Sequence, residues 1–414
     1  MARTLGAECT VAGACPMLSS EHEASYTSNS APQNLALLLC RPTLEKAIAE
    51  QQASIRMKQK TSDCWAEGLR KSRNFSEDDD AVKEVFCVAD MGCASGPNCW
   101  RNMQFMIDCI RKYRRMESDT VSETGNGDHV CSSPIQFFLC DLPSNDFNGL
   151  LLEQQKYMEG YEQCFPAVVA GNFHGRLFPP SSLHLVFSST SVHWLSESPD
   201  LSSDPDTMRV MRKKIWVDGS YMYKDAKKVY AERWRHEFTS FLTCRKTEMA
   251  NGGMMFLLIM SSDEARPNQL QGSCFQMLEE SWIQLVEQGT LQSWQLETFN
   301  IPWHFPTLME LESAINGVSD LRIQQIRAMH TYVGDTYWKQ WSNDPDELAR
   351  RLTNFYRSIV SNVIEKHVGP MNCELIFTRF NDLLEKNLRS RSTWDPYWIY
   401  PWDHHAMVEI TKEQ

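Results

Sequence analysis

The sequence predicts an α/β protein built on a doubly wound, mostly parallel sheet with a helical cap. Three observations carry this reading. Short apolar runs rich in β-branched residues recur along the chain, and stretches of helical periodicity fill the intervals. The first of these runs stops in a glycine-rich turn, Asp90-Met91-Gly92-Cys93-Ala94-Ser95-Gly96. Apolar strands that alternate with helices are strands covered on both faces, which is the condition of a parallel sheet.

Taken in order, residues 1–20 carry no pattern and are expected to be a disordered segment, leaving 21–414 as one domain. From Pro42 to about Gly68 the spacing is helical, and the polar run KSRNFSEDDD that follows suits a loop. VFCVAD (85–90) reads as the first buried strand, and Cys99–Arg115 as the helix after its turn. Residues 116–133 are polar and rich in Ser and Gly, a surface loop. Further strands are expected at IQFFLCD (135–141), LHLVFSS (183–189), GGMMFLLIM (252–260) and HAMVEIT (405–411). Two long stretches, about 205–245 and 265–390, hold more helical pattern than crossovers need, and are expected to form a cap over the sheet's C-terminal edge.

Composition narrows the partners. The net charge is -12, which disfavours nucleic acid, since phosphate binding calls for a basic stripe. Apolar runs such as Met254–Met260 are far too short to span a bilayer, and the N-terminus has no sustained apolar core, so the expected compartment is the cytosol. Cys87, Cys93 and Cys99 fall six residues apart, outside zinc spacings, and read as buried reduced thiols.

The turn after the first strand is the sharpest signal. Its glycines allow a tight backbone and close approach to a ligand, and the next helix offers unpaired N–H groups. The pattern is D-x-G-x-x-x-G, not the G-x-G-x-x-G of pyrophosphate cofactors, so a nucleoside ligand without a pyrophosphate is favoured over nicotinamide or flavin. A tight structural turn is the plainer possibility. Asp141, ending the second strand, can hold a ribose diol or form a turn before Leu142-Pro143. Ser188-Ser189-Thr190-Ser191-Val192-His193-Trp194 follows another strand. His193 there is a base or a core histidine, and Trp194 a ligand contact or a core residue. G-x-S-x-G is absent, which leaves a hydrolase nucleophile unsupported.

SYTSNSAPQ (25–33), VADMGCASGPN (88–98), FLCDLPSNDFN (138–148), GNFHGRLFP (171–179), SSTSVHWLS (188–196) and FNIP (299–302) occur in this order. Together they make the chain similar to the plant SABATH methyltransferases, which esterify salicylate, benzoate, jasmonate or indole-acetate or N-methylate caffeine precursors. The resemblance runs from about Ala24 to the C-terminus. It implies a class I methyltransferase (Rossmann-like) fold, S-adenosylmethionine as cofactor and a small aromatic carboxylic acid as acceptor, of the benzoic, salicylic, cinnamic or coumaric type. A hormone acid such as indole-acetate or jasmonate is the runner-up within the family. A third possibility is a non-catalytic small-acid binding protein on the same fold.

The resemblance also assigns roles. Tyr26, Ser30, Asp90, Gly92, Cys93 and Asn98 would touch the cofactor, Asp141 its ribose, Leu142 its adenosine, and Asn172 with Phe173 its adenine. Gln33 and Trp194 would grip the acceptor carboxylate with His193 beside them, and Cys274, Phe275, Trp303, His304 and Phe377 would line the aromatic pocket. Family members are often homodimers, and no stretch here locates an interface. Three departures stand out. Thr190 replaces a frequent Tyr. Glu297-Thr298-Phe299-Asn300, with Ser220 in place of a distant Asn, supplies too few oxygen ligands for the magnesium of some relatives, leaving Phe299 and Asn300 as weak metal candidates. The segment WDPYWIYPWD (394–403) has no evident family counterpart.

Overall fold

The computed structural model of the chain describes residues 23–71, 85–115, 133–201, 204–217, 224–262, 270 and 272–413, with side chains left out at 59–71 and 115. The expected N-terminal segment, most of the 71–80 and 116–133 loops, and Ser220 lie outside the described residues. Within them, seven strands form one sheet: β1 (Phe86–Met91), β2 (Ile135–Asp141), β3 (Cys164–Ala170), β4 (Leu183–Ser189), β5 (Met249–Met260), β6 (Leu321–His330) and β7 (His404–Lys412). Their order is β3-β2-β1-β4-β5-β7-β6. β1 to β5 run parallel, while β7 enters antiparallel between β5 and β6. This is the doubly wound, mostly parallel arrangement expected.

The strands are apolar on both faces because both are covered. Along β5, Met254, Phe256 and Leu258 turn to one side, where the helices Ala31–Lys71 and Pro97–Arg115 pack. Met255, Leu257 and Ile259 turn to the other, against the helix Lys224–Glu248. Each such side chain contributes about 1.5–3 kcal/mol by leaving water. A third cluster lies among the helices Gln276–Glu287, Pro345–Val368 and Pro370–Ser390.

Three elements depart from the sequence reading. The first long helix begins at Ala31, so Pro42 sits inside it instead of opening it. β3 was not expected. β6 lies within the stretch expected to build the helical cap, and it forms a sheet edge. Among the described residues no helix is long and apolar enough to cross a membrane.

Sheet order decides where a ligand can sit. From β1 the chain winds outward to β2 and β3, then returns to β4 on β1's other side. Helices therefore leave in opposite directions from the C-terminal ends of β1 and β4, and that divergence opens a crevice. The register brings Asp90 beside Leu139 of β2 and Phe187 of β4, so three strand ends meet there.

Candidate active site

The β1 turn is held from both sides. Gly92 and Cys93 both donate backbone N–H bonds to the Cys140 carbonyl, at 2.8 and 3.1 Å. Gly92 has φ of +81°, and a Cβ there would meet Ser191 Oγ at 2.3 Å. Glycine is needed for conformation and for space alike. Ser188 Oγ donates to the Met91 carbonyl at 2.8 Å and Ser191 Oγ to that of Gly92 at 3.0 Å. The serine run thus fastens β4 to the end of β1, a use that needs no nucleophile.

Asp141 serves as more than a turn former. Its Oδ2 accepts the Ala94 N–H at 2.6 Å and its Oδ1 the Leu142 N–H at 2.7 Å. A carboxylate has about four acceptor positions, so each oxygen keeps one for a ligand hydroxyl. Burial raises its pKa to about 6 despite these two bonds. Asp90, equally buried, is pushed further, to about 8, by burial and then by the charge of Asp141.

Two clefts open over these strand ends. The larger has about 740 Å³ of empty space and is lined by Tyr26, Gly92, Asp141, Leu142, Asn172, Phe173 and Trp194, among others. The smaller, about 350 Å³, is lined by Gln33, Asp90, Cys93 and Asn98. Both include Tyr26, Gly92, Ser189 and Thr190, so they adjoin. Eleven expected site residues, from five separate segments, thus share one region. Ser30 lies just behind it, its carbonyl accepting from Asn98 Nδ2 at 2.9 Å.

Polar groups at the clefts differ in their commitments. Gln33 Oε1 is buried and has no hydrogen-bond partner among the described residues. Trp194 is half-buried, with its ring 5.4 Å from that of Trp303. His193 lines neither cleft; it is buried beside Trp194, and its pKa is lowered to about 3 by burial and by His405, so the imidazole stays neutral. Thr190, at φ +52°, is a β-branched residue in left-handed backbone, strain of the kind that collects at functional sites.

The five expected pocket residues line neither cleft. Phe275, buried completely, packs against Trp303 at 5.6 Å and Tyr356 at 5.1 Å. Cys274 Sγ is 3.1 Å from the Tyr356 hydroxyl, and Phe377 meets Phe380 edge-on. His304 Nε2 reaches Glu310 at 3.3 Å and its ring faces Trp234. These side chains form a packed aromatic body behind Trp194. The weak metal candidates are likewise used internally: Asn300 Nδ2 donates to the Lys214 carbonyl, and Phe299 packs on Trp282.

Sequence reasoning missed the residues that hold the site's loops. Arg245 and Glu248, both fully buried, pair at 2.7 Å. Arg245 also donates to the Phe173 and Gly175 carbonyls at 2.8 Å, while Glu248 Oε1 accepts from Leu177 and Phe178 N–H. Glu237 accepts the Ser196 N–H at 2.9 Å, and Trp234 Nε1 donates to the Val192 carbonyl at 3.0 Å. One helix, Lys224–Glu248, therefore fixes both the loop carrying Phe173 and the loop carrying Trp194.

A family model described as SAM dependent carboxyl methyltransferase matches residues 73–399. The chain belongs to that family. The curated relatives are plant SABATH methyltransferases. Gibberellic acid methyltransferase 2 of Arabidopsis thaliana is 26% identical over 90% of this chain and 89% of its own. A 3,7-dimethylxanthine N-methyltransferase of Camellia sinensis is 27% identical over 90% and 91%. A solved loganic acid methyltransferase with SAH shares the fold, with a TM-score of 0.74 and 20% identity over 96% of this chain and 99% of that one. This SABATH methyltransferase is thus an S-adenosylmethionine-dependent enzyme on a class I methyltransferase sheet. The family match ends at Ile399, inside the 394–403 segment.

Proposed function

We propose that residues 21–414 act as one cytosolic methyltransferase domain that makes the methyl ester of a small aromatic carboxylic acid. The observation that supports this most directly is the convergence of Gln33, Asp90, Asp141, Phe173 and Trp194 on two adjoining clefts at the switch point. The residues fit the cofactor. Two buried carboxyls suit a cation and a ribose diol, the Gly92 turn leaves room where a Cβ would clash, and Leu142 and Phe173 offer apolar surfaces to a base.

The bound cofactor supplies a methyl group made electrophilic by a sulfonium. The chain's own task is to align the acceptor and exclude water. A carboxylic acid, with pKa roughly 4, is already ionised near neutral pH, so no base is required. Gln33 and Trp194 offer neutral N–H donors that orient one carboxylate oxygen pair without the quenching of a tight Arg pair. His193, held neutral, positions the acceptor and does not accept its proton. Such alignment contributes up to about 7–11 kcal/mol in well-oriented cases.

A second reading keeps the same chemistry on a hormone acid, and the similarity to gibberellic acid methyltransferases is what favours it. Both readings meet one experiment. Purified protein is incubated with methyl-labelled S-adenosylmethionine and benzoate, salicylate, cinnamate, 4-coumarate, indole-acetate, jasmonate or gibberellic acid, with xanthine as the nitrogen acceptor. Label in an aromatic ester, lost in Gln33→Ala and Trp194→Ala, supports the first reading. Label confined to a hormone acid selects the second, and label confined to xanthine sinks both.

A further inference from the structure

A separate groove opens at the sheet edge opposite the clefts, where β5 and β6 begin and β7 ends. It holds about 1150 Å³ of empty space and shares no lining residue with either cleft. One wall is the helix Ala31–Lys71, whose Ala47, Gln51, Ser54 and Lys58 recur at helical spacing on one face, with Glu50 beside them. The floor is the sheet. Glu409 and Thr411 alternate onto the same side of β7, and Met254 of β5 stands opposite Thr411. The register of β6 shifts between Ile323 and Gln325, a bulge that turns Gln324 onto the groove, where its Nε2 donates to Thr411 Oγ1 at 2.7 Å.

One carboxyl in this groove is out of keeping with the rest of the protein. Among the described residues, seven carboxyl side chains are at least nine-tenths buried. Asp141, Glu237, Glu248, Glu279 and Asp403 each accept hydrogen bonds from protein donors. The two that accept none are Asp90, which lines the smaller cleft, and Glu409, which lines the groove. Glu409 is 7% exposed, and burial and then Glu50 raise its pKa, with Lys46 opposing them. Beside it Gln51, 6% exposed, spends Nε2 on the His184 carbonyl at 2.6 Å and leaves Oε1 without a partner. Two buried acceptors left unmet at one wall of a cavity are costly, and a donor from a ligand would answer both. The groove's other end is basic. Arg322 is engaged by Glu413 at 2.6 Å and Lys412 by the Met249 carbonyl at 2.7 Å. Lys58 meets no acceptor among the described residues, and its Nζ lies over Gly252, 2.7 Å from where a Cβ would stand.

We propose that this groove is a second binding site, for a linear zwitterion whose ammonium meets Glu409 and Gln51 Oε1 and whose carboxylate meets Lys58. An ammonium carries three donors and no acceptor, so Glu409, Gln51 Oε1 and the rim carboxylate of Glu50 can take one each. The elements set the length. Gln51 and Lys58 are separated by two helical turns, about 10 Å at 1.5 Å per residue. Glu409 stands beside Phe256, four residues along β5 from Gly252, or about 13 Å. Allowing about 3 Å for the ion pair at each end leaves roughly 4–7 Å between the ligand's own charges. That is the span of an amino group and a carboxylate joined by about four methylenes, and too long for an α-amino acid such as glycine. The site is independent of which acceptor the clefts take.

The test titrates the full chain calorimetrically with 5-aminopentanoate, pentylamine, pentanoate and glycine. S-adenosylhomocysteine is kept saturating, because the cofactor cleft itself takes an amino-acid end and must be closed to the probes. The expected result is one site for 5-aminopentanoate, at least about tenfold tighter than each of the other three, about 1.4 kcal/mol. Glu409→Gln lowers its affinity to that of pentanoate and Lys58→Met to that of pentylamine, while both variants bind S-adenosylhomocysteine as the unmodified protein does. The ranking of the four probes on the unmodified protein needs no variant to fold and is decisive by itself. No saturable binding, equal affinities across the probes, or a preference that survives both substitutions overturns the site. Pentylamine binding as tightly as 5-aminopentanoate overturns it too, since Lys58 then contributes nothing. Binding seen only when S-adenosylhomocysteine is left out puts the probe in the cofactor cleft, with the same consequence.

Discussion

Asp90 makes cofactor binding depend on pH, and the size of the effect follows from its surroundings. Its carboxyl is raised from 3.8 to about 8 by burial and by Asp141, so the ligand-free site holds a proton there at neutral pH. A cation bound alongside favours the ionised form and expels that proton. The complex then carries fewer protons than the free protein, so affinity rises with pH up to about 8 and levels off above it. Well below pH 8 one proton corresponds to a tenfold change in Kd per pH unit; between pH 8, where half the sites are protonated, and pH 6.5 the change is roughly sixteenfold, about 1.6 kcal/mol. Below about pH 6, Asp141 adds a second proton and steepens the slope. Calorimetry at pH 7 in buffers of different ionisation heat counts the proton directly: close to one for the unmodified protein and close to zero for Asp90→Asn. The same shift has a stability counterpart. A folded pKa above the unfolded one contributes stability that is complete below about pH 4 and lost as pH rises through about 8. Asp90→Asn therefore raises the melting temperature of the ligand-free protein more at pH 8.5 than at pH 5, with an upper bound of about 6 kcal/mol. An unchanged pH slope in Asp90→Asn, or no proton release at pH 7, refutes the reasoning.

Three other perturbations test separate parts of the site. At saturating substrate and cofactor, kcat stays flat between pH 6 and pH 9, because the acceptor is ionised throughout and His193 stays neutral; a bell-shaped profile would reveal a titrating base. Arg245→Ala takes from Glu248 its fully buried partner, leaving only the partly exposed Arg176 at 3.2 Å, and costs up to about 3–5 kcal/mol, with weaker cofactor binding as the Phe173 loop loosens. A melting temperature within a degree of the unmodified protein would contradict that ion-pair argument. Gly92→Ala abolishes cofactor binding through its clash with Ser191, and pairing it with Ser191→Gly recovers part of it, since that removes the contact but not the positive φ. Full recovery would show that backbone conformation contributes little.

What the sequence revealed, and what it hid, divides along burial and range. β1, β2, β4, β5 and β7 were legible because central strands covered on both faces must be continuously apolar. β3 and β6 are the sheet's two edges. β6 exposes Arg322, Gln324 and Arg327, and LRIQQIRAMH then resembles a helix face as much as a strand. Pro42 misled for a local reason, since proline at a helix start is common and proline inside one is not. In the site, the strand-end motifs were readable because short-range backbone demands produce them. The Arg245–Glu248 pair was not, because an i, i+3 pair on a helix looks the same in sequence whether solvated or buried. The aromatic residues showed their type but not their packing, which depends on segments from Phe275 to Trp402 meeting in space.

The sheet divides its labour in a way that bears on how such enzymes diversify. Most of the cofactor's expected contacts come from the turns after β1, β2 and β3, while Trp194 and the aromatic body come from the chain beyond β4. The body draws on the helix start at Phe275, the middle of the helix Pro345–Val368 at Tyr356, the Trp303 strip and the 394–403 segment, whereas the Gly92 turn is fastened by Cys140, Ser188 and Ser191. On the proposed assignment of roles, drift in the later segments alters the surroundings of Trp194 while the turns expected to hold the methyl donor stay intact. A single ancestral scaffold can in this way give rise to catalysts for chemically unlike acceptors, with selection acting on one flank of the molecule at a time.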